Sequence, residues 1–136
     1  MEDLAGMGAV CVGGGSGIGR GIALGLGAEG VRVLVADIDL AAADRVRDEI
    51  VGAGGEAQSA QVDATSNDSL AELARTAADL IGNVHVLVNT VGVIANTPLA
   101  SATEEEWGWF TEFHLMSLGA DRLSTVFRGS SVSKYL

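Results

Sequence analysis

Cysteine, proline, tyrosine and lysine each occur once in the 136 residues, and aromatic residues make up only 4%. The lone cysteine, Cys11, excludes an intramolecular disulfide; set in an apolar run, it reads as a small core residue and not as a reactive thiol. Basic residues are scarce, with 8 Lys plus Arg against 18 Asp plus Glu and a net charge of −10. Such a surface repels phosphate backbones and anionic lipid, so neither nucleic acid nor a membrane is an expected partner. A bound phosphate is still allowed, because the free N–H groups of a helix N-terminus hold anions without a basic side chain. No uninterrupted apolar stretch approaches the roughly 20 residues of a membrane span, and Met1-Glu2-Asp3-Leu4 has no basic leader character. The expectation is a cytoplasmic protein.

What is present is apolar and patterned. At 48% hydrophobic residues with 19 glycines, the chain has material for one packed core, and its length suits one domain. Short β-branched runs alternate with longer helical stretches. Strands are predicted over residues 9–12, 31–36, 58–62 and 84–88. Helices are predicted over 18–28 (Ile18, Ile22, Leu24 and Leu26 at helical spacing), 40–53 (Leu40, Ala43, Val46 and Ile50 on one face, charges on the other) and 67–81. The last of these has Leu70, Leu73, Ala77 and Leu80 inward, with Ser66 or Asn67 as cap. A longer helix starts at a capping box, Thr103-Glu104-Glu105-Glu106, and runs through Trp107, Phe110, Phe113 and Leu115 towards Phe127. Strands separated by helices imply βαβ units, hence an α/β fold with a doubly wound parallel sheet. The predicted domain covers residues 1–127, followed by a polar tail, 128–136.

Gly13-Gly14-Gly15-Ser16-Gly17-Ile18-Gly19 falls where the first strand becomes the first helix. Glycines there permit a sharp turn, let a pyrophosphate approach the backbone and let helix and strand pack closely. The signal strengthens because an acid, Asp37, ends the second strand 18 residues beyond Gly19. A carboxylate there accepts hydrogen bonds from an adenosine ribose and repels a 2′-phosphate. Neither Ser16 nor Ile38 is basic, so NAD is favoured over NADP. The plainer reading is that Asp37 and Asp39 begin a turn and cap the next helix; the capping role is assigned to Asp39.

The spacing of Gly13, Gly17 and Gly19 is Gly-x-x-x-Gly-x-Gly, which resembles the short-chain dehydrogenase/reductase family. Two further segments carry the likeness. Val62-Asp63-Ala64 resembles the segment holding the family's adenine-contacting aspartate, and Asn89-Thr90-Val91-Gly92 resembles its Asn-Asn-Ala-Gly motif. Glu105-Glu106-Trp107 is also similar to the family pattern, and the resemblance covers residues 8 to 118. It implies a Rossmann-like sheet in the order 3-2-1-4 and a dinucleotide site. That site would be built from Gly13, Gly15, Ser16, Gly17, Ile18, Gly19, Asp37, Ile38, Asp63, Ala64, Asn89, Val91 and Gly92, with no metal. Asn89 would steady the sheet, and Val91-Gly92 would pass close to the nicotinamide ribose.

Departures from the pattern matter as much. Val12 stands where the family usually has Thr, so one bracing hydroxyl is missing. His114 occupies the place of the family's proton-relay Asn, although a His on a mostly apolar helix is more often a core or surface residue. Family catalysis uses a tyrosine, a lysine four residues later and an upstream serine, the ammonium lowering the tyrosine pKa. Here Lys134 and Tyr135 are adjacent and in reversed order, and the strand that should carry Ser130, Ser131 or Ser133 is absent. The expectation is a cofactor-binding fragment, truncated before the catalytic residues and inactive alone. Its fourth strand would be an open edge and its last helix would carry an apolar patch at Trp109, Phe110 and Phe113, so self-association is expected. Glycines 21, 25 and 27 within the first helix, at about 1 kcal/mol each relative to Ala, add to an expected weak stability. Other readings are a non-catalytic nucleotide-binding or interaction module, a methyl-donor-binding transferase, against which the glycine spacing speaks, and a Rossmann-like fold without ligand.

Overall fold

Runs that are apolar on both pleat faces must be covered on both faces, which is the condition of a parallel sheet flanked by helices. The computed structural model describes residues 3–92 and 99–111. Within them the chain runs β1 (Gly8–Val12), α1 (Gly17–Ala28), β2 (Arg32–Asp37), α2 (Leu40–Gly52), β3 (Glu56–Gln61), α3 (Asn67–Ile81) and β4 (Val86–Asn89). A 3-10 turn (Leu99–Ser101) and α4 (Glu104–Thr111) follow. The four strands form one parallel sheet in the order β3-β2-β1-β4, as the sequence implied.

Alternation along β1 and β2 sends successive side chains to opposite layers. Val10, Val12, Leu34 and Ala36 pack on one side with Leu70, Leu73, Ala77 and Ile81 of α3. Ala9, Cys11, Val33 and Val35 pack on the other with Ala23 of α1 and Ala43, Val46 and Ile50 of α2. Cys11 is fully buried, as its setting implied, and that burial pushes its thiol up to about 12, far from a reactive thiolate. Among the described residues no helix is long and apolar enough to cross a membrane.

The buried faces of the helices differ in part from the apolar patterns of the sequence. α1 buries Gly19, Ala23 and Gly27, spaced four apart, while Ile18 is 77% exposed and Ile22 is also exposed. Leu24 and Leu26 are only partly buried against the core. The helix lies so close to its neighbours that only small residues fit its inner stripe: a Cβ on Gly27 would stand 2.7 Å from Ile50 Cγ2. In α2, Leu40 is exposed and Ala42 takes the inward place beside Ala43. In α3, Ile81 is buried and Leu80 exposed, a shift of one position at the last turn. β3 starts two residues earlier than predicted because Gly54, at φ +92°, turns the chain directly after α2. The capping box at Thr103 is formed: Glu106 N–H donates to Thr103 Oγ1, and Thr103 N–H donates to the Glu106 carboxylate at 2.8 Å. The continuation of α4 towards Phe127, the side chains of Trp109, Phe110 and Phe113, and the tail 128–136 lie outside the described residues.

The three helix-interior glycines therefore differ. Gly21 and Gly25 have open space where a Cβ would go, so alanine at either position is expected to stabilise the domain by about 1 kcal/mol. Gly27→Ala is expected to destabilise it, because Ile50 must yield. Urea melts of the three variants check this; equal shifts of one sign would contradict the packing argument.

Candidate functional site

Parallel strands bring their C-terminal ends to one edge, where the connecting loops gather. Val12 lies in register with both Ala36 and Asn89, and Asp37 with Gln61. Between β1 and α1 the chain turns back through glycines, with φ at +80° for Gly13 and +55° for Gly17, a region L side chains rarely adopt. Gly13 and Gly14 N–H donate to Ala36 O at 2.8 and 3.1 Å, which ties the loop to the end of β2. Gly19 lets α1 begin directly against the loop: its Cβ would stand 2.1 Å from Gly13 O. Beyond its chain neighbours and its own helix backbone, no atom of the described residues lies within 4 Å of the Cβ position at Gly17.

The helix starts differ in a telling way. At α2 and α3 a side chain accepts from an early backbone N–H: Asp39 Oδ1 from Ala42 N at 3.1 Å, and Ser66 Oγ from Ser69 N at 3.2 Å. Thr103 does the same for α4. Asp39 thus has the capping role assigned to it. At α1 the N-cap is Ser16, whose side chain makes no cap hydrogen bond, and the first turn holds no acid. Helix-start donors without a side-chain acceptor, at the positive end of the helix dipole, suit an anion.

Two carboxylates stand across from this loop. Asp37, half-buried at the end of β2, accepts from Gly15 N through Oδ2 and from Asp39 N through Oδ1, each at 3.0 Å. Gly15 has no side chain because that carboxylate is so near: a Cβ would stand 2.8 Å from Asp37 Oδ2. Asp63 follows β3, where its Oδ1 accepts from Thr65 N at 3.0 Å and from the Thr65 hydroxyl at 2.6 Å. On the other flank, Asn89 Oδ1 accepts from Val91 N at 3.1 Å and shapes the turn after β4.

These parts enclose a cleft of about 530 Å³. Of the residues expected at the site, Gly13, Ser16, Gly17, Ile18, Gly19, Asp37, Ile38, Asp63, Val91 and Gly92 line it. Gly15, Ala64 and Asn89 are not among its lining residues. Gly15 acts through its N–H on Asp37, Ala64 is buried in the α3-side core, and Asn89 sets the Val91 turn. Sequence reasoning missed three lining residues: Val62, Thr65 and Thr90. Val62 and Thr65 flank the Asp63 signal, and Thr90 lies inside the Asn-Thr-Val-Gly segment, so adjacency was the available clue.

No Lys or Arg lines the cleft among the described residues. Arg20, next in sequence to Gly19, is engaged elsewhere by Glu49, with Nε at 3.1 Å from Oε1 and a second contact from Nη2 to Oε2. This hydrogen bonding raises the Arg20 pKa and holds Glu49 below the usual carboxylate range. His114, Lys134, Tyr135 and the serines 130, 131 and 133 lie outside the described residues.

The short chain dehydrogenase family matches residues 8–123. The chain is 36% identical over 120 residues to a 7alpha-hydroxysteroid dehydrogenase of Escherichia coli, covering 85% of this chain and 47% of that protein. It resembles the crystal structure of a short chain dehydrogenase/reductase from Burkholderia phymatum in complex with NAD, at TM-score 0.87 and 30% identity. That likeness covers 96% of this chain and 46% of the other. A metagenomic short-chain oxidoreductase in complex with NADP is similar at TM-score 0.83 and 34% identity, over 94% of this chain and 57% of the other. The chain thus spans about half the length of the relatives it matches. A glycine loop, an acid ending β2 and the family match over residues 8–123 place this chain in the short-chain dehydrogenase family of NAD(P)-binding oxidoreductases.

Proposed function

We propose that this chain is the dinucleotide-holding half of a short-chain dehydrogenase, that it takes NAD in preference to NADP, and that it does not turn substrate over on its own. The observation that carries the reading is the uncapped start of α1 behind a glycine loop, facing the Asp37 carboxylate across one cleft. Backbone N–H groups of the uncapped first turn of α1 would hold the pyrophosphate. Asp37 would accept from the adenosine ribose, Val62 and Asp63 would flank the adenine, and Val91 and Gly92 would back the nicotinamide ribose. Ile38 would cover the adenine and Ile18 the pyrophosphate, which gives these two exposed apolar side chains a use. The cofactor, when bound, supplies a hydride acceptor or donor for an alcohol or ketone carbon. No acid–base pair of the Tyr-x-x-x-Lys kind exists in the sequence to move the accompanying proton.

Titration with NADH, following cofactor fluorescence and far-UV circular dichroism together, tests the reading. Saturable binding, with no turnover of NAD and a panel of secondary alcohols, is the expected result. A folded chain that ignores NADH would contradict the binding half, and turnover above the blank would contradict the catalytic half. β4 is the end strand of the sheet among the described residues, and it is proposed as a surface for self-association. Sedimentation velocity should show a concentration-dependent boundary, and a single monomer boundary at every dilution would remove that proposal.

A further inference from the structure

Thr90 is the first residue after β4, and its side chain reaches away from its own strand. Its backbone N–H donates to Val12 O at 3.0 Å, continuing the β1–β4 pairing. Its hydroxyl lies 3.2 Å from Val12 O and 3.2 Å from Gly13 O, close enough to share its one proton between the two carbonyls. The same oxygen would stand 2.8 Å from a Cβ on Gly13 and 2.5 Å from one on Gly19. One hydroxyl therefore touches the end of β1, the first residue of the glycine loop and the first turn of α1. Val12 brings no hydroxyl to this seam, so the polar tie comes from the facing strand.

The two segments joined here are the two flanks of the cleft. Gly13, Gly17 and Gly19 of the loop segment line it, as do Thr90 itself and the Val91 and Gly92 that follow it. Thr90 has few ways to move, since it is half-buried and held by its own backbone bond. We propose that Thr90 is a positioning residue whose hydroxyl clamps the glycine loop to the turn after β4 and sets the spacing between the two flanks. The proposal rests on the reading of the cleft as a dinucleotide site. It adds that a ligand spanning both flanks feels the clamp, while a ligand resting on one flank does not.

Thr90→Val keeps the shape and removes the hydroxyl; Thr90→Ser keeps the hydroxyl. Both are to be titrated with NADH, which spans the cleft, and with AMP, which extends from the Asp63 side only to the glycine loop. Thr90→Val is expected to weaken NADH roughly fivefold, the net worth of one hydrogen bond. AMP affinity should change little, and Thr90→Ser should restore NADH binding. Equal NADH affinity in Thr90→Val and the unsubstituted chain would overturn the clamp alone. Equal weakening of NADH and AMP would also overturn it, by reducing Thr90 to general structural support. Failure of the unsubstituted chain to bind NADH would overturn the dinucleotide reading and the clamp with it.

Discussion

Gly19→Ala is expected to remove cofactor binding and to cost the domain about 2–3 kcal/mol, at the upper end of what overpacking a tight site usually costs. The reason is the identity of the obstructing atoms. An added Cβ would stand 2.1 Å from Gly13 O and 2.8 Å from Gly13 C, which are backbone atoms, and 2.5 Å from Thr90 Oγ1. A flexible side chain could swing aside; a carbonyl fixed between β1 and a left-handed turn cannot. Relief requires α1 to slide off the loop, which breaks the alignment of its first N–H groups with the cleft. Against a typical total stability of about 5–15 kcal/mol, that loss is a large share. Gly17→Ala is the informative comparison. Its Cβ meets nothing, so stability should fall only by the left-handed strain, roughly 1–2 kcal/mol. Yet Gly17 lines the cleft, so NADH binding should weaken well beyond what the stability change explains. Paired urea melts and NADH titrations separate the two effects. A Gly19→Ala chain with unchanged melt and affinity would refute the close-packed loop.

Cofactor choice is the second large effect. NADH is expected to bind at least tenfold more tightly than NADPH, since a 2′-phosphate would meet the Asp37 carboxylate, and among the described residues no Lys or Arg lines the cleft to offset it. A hydrogen bond to a charged acceptor is worth about 1.5–3 kcal/mol, so Asp37→Ala should weaken NADH on the order of ten- to a hundredfold. The carboxylate also has a structural role, because through Gly15 N–H it holds the loop against β2. Asp37→Asn tells the two roles apart. It keeps an oxygen that can accept from Gly15 N–H while removing the charge, so NADPH should gain while NADH loses less than in Asp37→Ala. If NADH and NADPH bind equally to the unsubstituted chain, Asp37 does not select the cofactor.

Legibility from sequence followed the range of the forces involved. β1 and β2 were readable because a parallel strand buried on both faces is a continuous apolar run, and Val33-Leu34-Val35-Ala36 is one. α3 was readable because its buried stripe is made of Leu70, Leu73 and Ala77 at helical spacing. The position of α1 was legible, but its inner face was not. Large apolar residues are the usual sign of an inner face, but here contact distance outranks side-chain size, and Gly19, Ala23 and Gly27 face inward. The glycine loop and Asp37 could be found because their meaning lies in chain order: strand, loop, helix, strand, acid. Thr90, Val62 and Thr65 had only adjacency to those signals as a clue, and their place at the cleft depends on how the loops gather at the strand ends. The loss of the Val12 hydroxyl was visible as a departure. That Thr90 faces the same seam from β4 became visible only in three dimensions.

The most direct measurement is an amide NMR titration of the isotope-labelled chain with NADH. Saturable shifts are expected at the amides of Gly13, Gly17, Ile18, Gly19, Ile38, Asp63 and Gly92, with residues at the opposite end of the sheet, such as Gly55 and Glu56, unmoved. Saturable shifts centred elsewhere, or none in a well-dispersed spectrum, would contradict the claim that this cleft holds the dinucleotide.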